Sequence, residues 1–277
     1  MGIRINTNVQ SLAAQRSLSE VKQTQDGALE KLASGSRINR ASDDAAGLAI
    51  SERLKADIRG SQQAKRNASD GISMIQVAEG GMNEISNILV RLRELSVQAA
   101  SDTIGDKERA FTDLEFQQLS KEMERISSNT EFNGTKLLNG EGDVKDFQVG
   151  TGNDSFADRI SYSPAETNVS AGELGISGLA VSSKEGAQDN LSVIDQAMDK
   201  VNGNRAVLGA LQNRLTSTVS NLDVKTENLS AANSRIRDTD VAQVSAELAK
   251  SNILTSAGTS VLAQSNNSNM SALKLIG

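Results

Sequence analysis

An unbroken heptad pattern between residues 191 and 236 most constrains what this chain can fold into. Steps that alternate three and four residues from Leu191 to Ile236 fall on fourteen positions, and ten of these are apolar. The apolar positions are Leu191, Ile194, Met198, Val201, Leu208, Leu215, Val219, Leu222, Leu229 and Ile236. At about 1.5 Å per residue, such a helix is roughly 70 Å long. A helix of this length needs a partner helix of similar length.

A second stripe with the same spacing runs from Ile75 to Ala99 and supplies that partner. Its main apolar members are Ile75, Ala78, Met82, Ile85, Leu89 and Leu92. We expect this helix to begin near Asp43 and Asp44, because carboxylates can cap the free N–H groups of a helix N-terminus. The two stripes predict a mainly α-helical fold, in which residues 43–236 form a long antiparallel coiled-coil rod. A shorter third stripe, from Phe116 to Ile126, predicts one more helix after a break at residues 103–105.

The two ends of the chain carry weaker apolar stripes. Residues 1–42 and 237–277 contain no aromatic residue and no proline, so both are suited to helices. Their thin stripes, from Leu18 to Leu32 and from Val241 to Val261, indicate helices that need neighbours for stability. Between 130 and 185 the helical pattern fails. Asn-Gly pairs and short alternating segments there predict a β-hairpin and solvent-facing loops.

The composition excludes most catalytic chemistry. The chain has no His and no Cys, which removes thiolate nucleophiles, thiolate metal sites and histidine bases. A Ser–Lys or paired-carboxylate site stays possible in principle, but Asp43 and Asp44 are better explained by helix capping. We therefore expect no catalytic residue, no metal and no cofactor. The net charge of −6 argues against a nucleic-acid partner. The uncharged but Ser-, Thr- and Asn-rich residues 251–273 are too polar for membrane insertion.

Six segments together resemble the bacterial flagellins. The chain starts MGIRINTNV, residues 34–51 read SGSRINRASDDAAGLAIS, and residues 89–100 read LVRLRELSVQAA. Further segments read EFNGTKLLNG at 131–140, AANSRIRDTDVA at 231–242 and AGTSVLAQSNN at 257–267. The resemblance covers roughly the first 140 and the last 90 residues, in order. Two departures are Arg237, where the family usually has an acidic residue, and the tail at 269–277.

The resemblance implies an architecture and a set of partners. Flagellins pair their terminal helices to form the inner tube of a secreted, extracellular filament, which here would be residues 1–42 and 237–277. The intervening rod surrounds that tube. The chain would then assemble with copies of itself and bind an export chaperone through its C-terminal segment. It would also meet the filament cap and junction proteins, and it would serve motility.

Other readings are left open by the sequence. The hook–filament junction protein shares helical termini with flagellins, although the segments at 43–47 and 257–264 favour a flagellin. A host innate immune receptor that senses flagellins is a possible partner, and the resemblance places its recognition surface at Arg91, Leu95 and Glu115. Without that role, Arg91 and Glu115 are solvated charges and Leu95 packs between helices or subunits. An enzymatic function is the weakest alternative.

Overall fold

The computed structural model describes residues 8–274 and their side chains through residue 267. Most of the N-terminal segment used for the resemblance, and the side chains of the tail at 269–277, lie outside this range. The helices are α1 (Val9–Ser34), α2 (Ala45–Ala99), α3 (Asp106–Asn129), α4 (Lys184–Arg237) and α5 (Val241–Lys274). The strands are β1 (Glu131–Phe132), β2 (Thr135–Lys136), β3 (Lys145–Gln148) and β4 (Arg159–Tyr162). The predicted fold class, mainly α with long helices and a small β region, is confirmed.

The contacts within the chain divide it into two compact units. One unit comprises Met1–Ala56 together with Asn228–Gly277, and the other comprises Asp57–Glu227. Both boundaries fall inside the long helices α2 and α4. Each unit is described by itself.

In the unit Asp57–Glu227, α2 and α4 run antiparallel. Lys65 Nζ lies 2.6 Å from Asp223 Oδ1, and Arg93 Nε lies 2.6 Å from Asp195 Oδ1. As the residue number rises along α2, the residue number of the ion-pair partner on α4 falls, which shows that the two helices are antiparallel. Between the helices lies one buried apolar cluster, and its members from the two heptad stripes include Ile75, Met82, Ile85, Leu89, Leu92, Ile194, Val201, Leu208 and Leu215.

The side chains at the remaining stripe positions of α4 are less deeply buried. Leu191 and Met198 are half-buried on α4. Leu222 is buried, and Leu229, in the other unit, is half-buried. The heptad spacing therefore identifies the face of α4 that turns inward, while the depth of burial decreases towards its ends.

The N-terminus of α2 is capped by one of the two adjacent carboxylates. Asp44 Oδ1 accepts a hydrogen bond from the Gly47 backbone N–H at 2.8 Å, as predicted. The same prediction is wrong for Asp43, because its Oδ2 accepts from the backbone N–H groups of Asn39 and Arg40 in the preceding turn. These two hydrogen bonds, the stronger effect coming from Arg40, lower the pKa of the Asp43 carboxyl.

The C-terminus of α2 is closed by a buried guanidinium. Arg109, on α3, donates from Nε to the Ala99 carbonyl oxygen at 2.9 Å and from Nη2 to the Ser101 carbonyl oxygen at 3.0 Å. Its Nη1 donates to Asp106 at 2.8 Å. Carbonyl groups at a helix C-terminus have no partner within the helix, so these bonds stabilise the connection between α2 and α3. The break predicted at residues 103–105 is confirmed by the gap between the two helices.

Two antiparallel hairpins follow α3. In the first, Phe132 pairs with Thr135 across a two-residue turn in which Asn133 has φ 49° and Gly134 has φ 75°. Positive φ at both positions is the requirement of a type I′ hairpin turn, which explains the Asn-Gly sequence. In the second hairpin, Phe147 pairs with Ile160 and Lys145 with Tyr162. The β-hairpin prediction is confirmed.

The expectation that residues 130–185 face solvent is wrong for part of this segment. Residues 151–157 are exposed, but several apolar side chains after β4 are buried, namely Val169, Ala171, Leu174, Ile176 and Val181. Side chains of α3 hold the backbone of this loop. Glu124 accepts from the Ala171 N–H, Gln117 donates to the Leu179 carbonyl oxygen, and Asp113 accepts from the Val181 N–H, all at 2.8 Å. These bonds satisfy backbone groups that helices or strands would otherwise pair.

Candidate assembly surface

Helices α1 and α5 lie side by side and antiparallel. Asn8 Nδ2 donates to the Ser265 carbonyl oxygen at 3.2 Å, near the start of α1 and the end of α5. Further along, Gln25 Nε2 donates to Asn252 Oδ1 at 2.6 Å. The predicted pairing of the N- and C-terminal helices is confirmed for the described residues. Among the described residues, the side-chain hydrogen bonds between α1 and α5 are made by amide and hydroxyl groups.

A short clasp joins the segments that lead out of α1 and into α5. Ser36 and Asp238 form an isolated antiparallel β-bridge. The Arg37 backbone N–H donates to the Arg237 carbonyl oxygen at 2.6 Å, and the Thr239 N–H donates to the Gly35 carbonyl oxygen at 3.0 Å. The clasp fixes where the α1–α5 pair begins.

Arg237, the residue at which the family usually has an acidic side chain, has a partner in this unit. Its guanidinium forms an ion pair with Glu52 on α2. The Arg237 side chain is 24% exposed and that of Glu52 is 52% exposed. At a site this accessible the pair contributes about 0–1 kcal/mol, so it directs the Arg237 side chain more than it stabilises the unit.

The α1–α5 pair leaves large apolar side chains in solvent. The exposed members are Val9, Leu12 and Leu29 on α1, and Val241, Ile253, Leu254 and Val261 on α5. By contrast, the buried residues of the pair are few and small or polar: Ser11, Ala28, Val244, Ser251 and Ser265. Two helices in contact along one face cannot cover these stripes, so the pair exposes an apolar surface that calls for further partners.

A groove of about 740 Å³ runs between the two helices. None of the described residues that line it is charged. The lining residues are Gln10, Ala13, Ala14, Ser17, Leu18, Val21, Leu254, Ala257, Gly258, Val261, Gln264 and Ser265. A methyl group at Gly258 would lie 3.2 Å from Leu18 Cδ1, so glycine at this position permits the close approach of the helices. The groove is suited to an apolar ridge from another helix.

Val241, Leu254 and Val261 belong to the weak C-terminal stripe, but the sequence did not single out the other exposed positions. The weak apolar stripes at both ends of the chain predicted the helix faces that pair, and Leu18 and Val21 lie on such a face. For the others, the available signal was that Val9, Leu12 and Ile253 are apolar but lie outside those stripes. A helix with apolar residues on more than one face is buried on more than one face in its working state.

The residues proposed from the resemblance for receptor recognition do not share one surface. Arg91 Nε and Nη2 donate to Glu115 Oε1 at 2.9 and 2.8 Å, and Nη1 donates to Glu94 Oε2 at 2.9 Å. The hydrogen bond to Glu115 is the main cause that raises the pKa of Arg91. Both members of the Arg91–Glu115 pair are exposed, whereas Leu95 is only 1% exposed in the core.

Within residues 8–274, no group of three or more acidic, His or Cys side chains is placed to hold a metal ion. Of the helices that the structure describes, none is long and apolar enough to cross a membrane.

Two family descriptions match this chain. Residues 5–143 match the bacterial flagellin N-terminal helical region, and residues 191–276 match the bacterial flagellin C-terminal helical region. The first match contains α1, α2 and α3, and the second contains α4 from its first heptad position and the whole of α5.

Individual proteins match over almost the whole chain. A flagellin of Halalkalibacterium halodurans is 43% identical over 272 residues, which cover 98% of this chain and 99% of that protein. A flagellar filament 33 kDa core protein of Treponema phagedenis is 39% identical over 288 residues, covering 98% and 99%. Among solved structures, Bacillus cereus flagellin is 28% identical with a TM-score of 0.51, covering 61% of this chain and 94% of that one.

Proposed function

This chain belongs to the bacterial flagellin family, and on that premise we propose that its paired helices α1 and α5 are the surface through which copies of it assemble. The chain is a structural subunit of the flagellar filament, an extracellular appendage. Flagellins are structural proteins, and we assign this chain no enzymatic activity. Relatives about 40% identical over nearly its full length are named flagellins, so the junction-protein alternative is not favoured.

In this proposal the chain contributes two layers to the filament. Residues 1–42 and 237–277 form the inner tube, and residues 43–236 surround it. The supporting contrast is between the buried apolar cluster of the unit Asp57–Glu227, which is complete within one copy, and the uncovered α1–α5 pair.

The exposed apolar side chains of the α1–α5 pair carry the proposal. Val9, at 64% exposed, and Ile253, at 69%, keep most of their surface in solvent although the two helices are in contact. Full burial of one such side chain contributes about 1.5–3 kcal/mol. Ordering each residue costs about 1–2 kcal/mol of backbone entropy. An isolated α1–α5 helix pair therefore gains little free energy from burial. Several neighbouring helix pairs bury each helix on more sides, which favours the assembled state.

A charge placed in the groove tests the proposal. Val261→Asp puts a carboxylate on the groove lining, where the neighbouring copy would have to bury it. Phe156→Asp is the matched control, because Phe156 is an exposed apolar side chain, 85% exposed, in the loop between β3 and β4. In seeded polymerisation viewed by negative-stain microscopy, we expect filaments from the control and none from Val261→Asp. Filaments of normal yield from Val261→Asp would contradict the proposal.

The C-terminal segment is also the proposed site for an export chaperone. Residues 251–273 carry no charge, and Leu254 and Val261 are exposed on α5. A chaperone that covers this apolar face before export would keep subunits from assembling early, and secretion would release it. The filament cap and the junction proteins would then meet the same terminal helices at the two ends of the filament. Isothermal titration of the purified chaperone with the full chain and with a chain lacking residues 250–277 tests the first step, and equal affinity for both would contradict it.

Recognition by a host innate receptor is a second proposed role. The exposed Arg91–Glu115 pair supports it, since a fixed guanidinium and carboxylate give a partner protein a defined polar contact. The burial of Leu95 restricts its part to holding α2 in place. We expect Arg91→Ala monomer to activate a receptor reporter at higher concentration than the unmodified chain. Equal activation by both, or none by the unmodified chain where a known flagellin is active, would contradict the role.

A further inference from the structure

The sequence contains three Asn-Gly pairs, at residues 133–134, 139–140 and 202–203. In such a pair the glycine backbone nitrogen can attack the asparagine side-chain carbonyl carbon, because no Cβ on the glycine obstructs the approach. A bond from that nitrogen to Cγ forms, the Cγ–Nδ2 bond breaks, and ammonia leaves. Water then opens the resulting five-membered imide to give aspartate or isoaspartate. The reaction needs no reactant other than water.

The structure protects one of these pairs and restrains another. Asn202 and Gly203 lie inside α4, where the glycine N–H is bound within the helix and the backbone cannot rotate without breaking it. Asn139 is held by its own side chain, since Oδ1 accepts from the Glu141 N–H at 3.0 Å and Nδ2 donates to Glu141 Oε2 at 3.1 Å. The space beside Gly140 is also filled, by the side chain of Asn168.

The third pair lies at an exposed turn with little structure to hold it. Asn133 and Gly134 are both exposed, and a Cβ added to Gly134 would meet no atom within 4 Å beyond its chain neighbours. Asn133 has φ 49°, in the left-handed region that a side chain adopts at a cost. The strands on either side, β1 and β2, have two residues each, and one further backbone bond, from the Leu137 N–H to the Thr130 carbonyl oxygen, extends the ladder. A ladder this short opens at low free energy, and opening gives the rotation about the Asn133 backbone that the reaction requires.

We propose that the Asn133–Gly134 turn is a site of spontaneous modification, at which the chain converts its own side-chain amide into aspartate or isoaspartate. Isoaspartate adds one carbon to the backbone of a turn that has room for two residues, so the pairing of Phe132 with Thr135 is lost. Leu137, which is buried, comes directly after β2, and its carbonyl oxygen accepts a hydrogen bond from Tyr162. The modified turn therefore loosens the edge of the core.

Ageing of the full-length chain in mildly alkaline buffer tests this. Peptide mapping by mass spectrometry measures the conversion at each of the three asparagines, in native protein and in protein unfolded in urea. In the native protein we expect Asn133 to convert several-fold faster than Asn139, and Asn202 to remain an amide. In urea the three rates of conversion should become similar, because a glycine follows each of the three asparagines. Native conversion at Asn133 no faster than at Asn202 would overturn the proposal.

Asn133→Gly is the matched variant for the structural consequence. Two glycines still form a type I′ turn, and no side-chain amide remains to react. After ageing, we expect the backbone amides of the hairpin to lose protection from hydrogen exchange in the chain without a substitution. In Asn133→Gly the same amides should keep their protection. Equal loss in both proteins would show that ageing acts elsewhere and would contradict the consequence.

Discussion

The hydroxyl of Tyr162 donates a hydrogen bond to the carbonyl oxygen of Leu137 across 2.7 Å. This bond ties the end of β4 to the residue that follows β2. Thr167 Oγ1 lies 2.8 Å from the same hydroxyl, so three segments that are irregular or short meet at one buried phenol. Burial is the main cause that raises the pKa of Tyr162.

The pKa of Tyr162 makes the stability of the chain depend on alkaline pH. The folded state favours the protonated phenol, so this contribution is fully present below the ordinary tyrosine pKa of about 10 and is lost as the pH rises through the raised value. Tyr162→Phe should cost about 1 kcal/mol at neutral pH, because the Leu137 carbonyl loses the shorter of its two hydrogen bonds and keeps the 3.3 Å bond from Thr167 Oγ1. Above the ordinary pKa the difference between the two proteins should shrink.

Tyr162 is the sole tyrosine and the chain has no tryptophan, so absorbance of the phenolate reports this one group. Folded protein should titrate at higher pH than protein in urea. Coincident titration curves, or a stability difference that does not change with pH, would contradict the account.

Leu215 on α4 tests the antiparallel core. Leu215 is fully buried in the cluster that α2 and α4 share. Leu215→Asp therefore places a carboxylate where water cannot solvate its charge. We expect a loss of about 4 kcal/mol or more in the free energy of unfolding. Asn213→Asp adds the same charge at an exposed position of the same helix and should change it by less than about 0.5 kcal/mol. Urea unfolding of monomers measures both, and similar midpoints would refute the assignment of the core.

The elements that the sequence predicted well share a local cause. The seam through Ile85 and Leu215 follows from periodicity, and the turn at Asn133 follows from the φ that a type I′ turn requires. The burial of Ile176 had no such signal, because the loop that carries it is held at Leu179 and Val181 by α3 side chains that are distant in sequence. Likewise, two adjacent carboxylates look equivalent as caps, and only the path of the preceding turn assigns Asp43 to that turn.

Two adjacent glycines in α2 separate helix propensity from packing. A methyl group at Gly80 would meet nothing within 4 Å, so Gly80→Ala should stabilise the chain by up to about 1 kcal/mol. At Gly81 the methyl group would lie 2.8 Å from Leu138 Cδ1 and from Thr130 Oγ1. Gly81→Ala should therefore gain nothing or destabilise the chain. Thermal unfolding of the two variants compares them directly, and equal stabilisation would show that the α2–hairpin contact is loose.

Insertions after β3 and after β4 should have opposite outcomes. Gly152 lies in the exposed loop between the strands, so three added residues there should leave both folding and filament formation intact. The same insertion after Ile176 displaces a buried side chain and the backbone bonds to α3, and should lower the unfolding temperature of the monomer. Loss of filaments from a folded Gly152 insertion would indicate that this loop contacts other subunits.

Amide hydrogen exchange, followed separately in monomer and filament, tests most directly the claim that assembly completes the burial of the terminal helices. In the monomer we expect α1 and α5 to exchange rapidly, because their apolar stripes stay in solvent, while α2 between Ile75 and Leu92 is protected by the core. In the filament, α1 and α5 should become protected as well. Strong protection of both terminal helices in the isolated monomer would contradict the account.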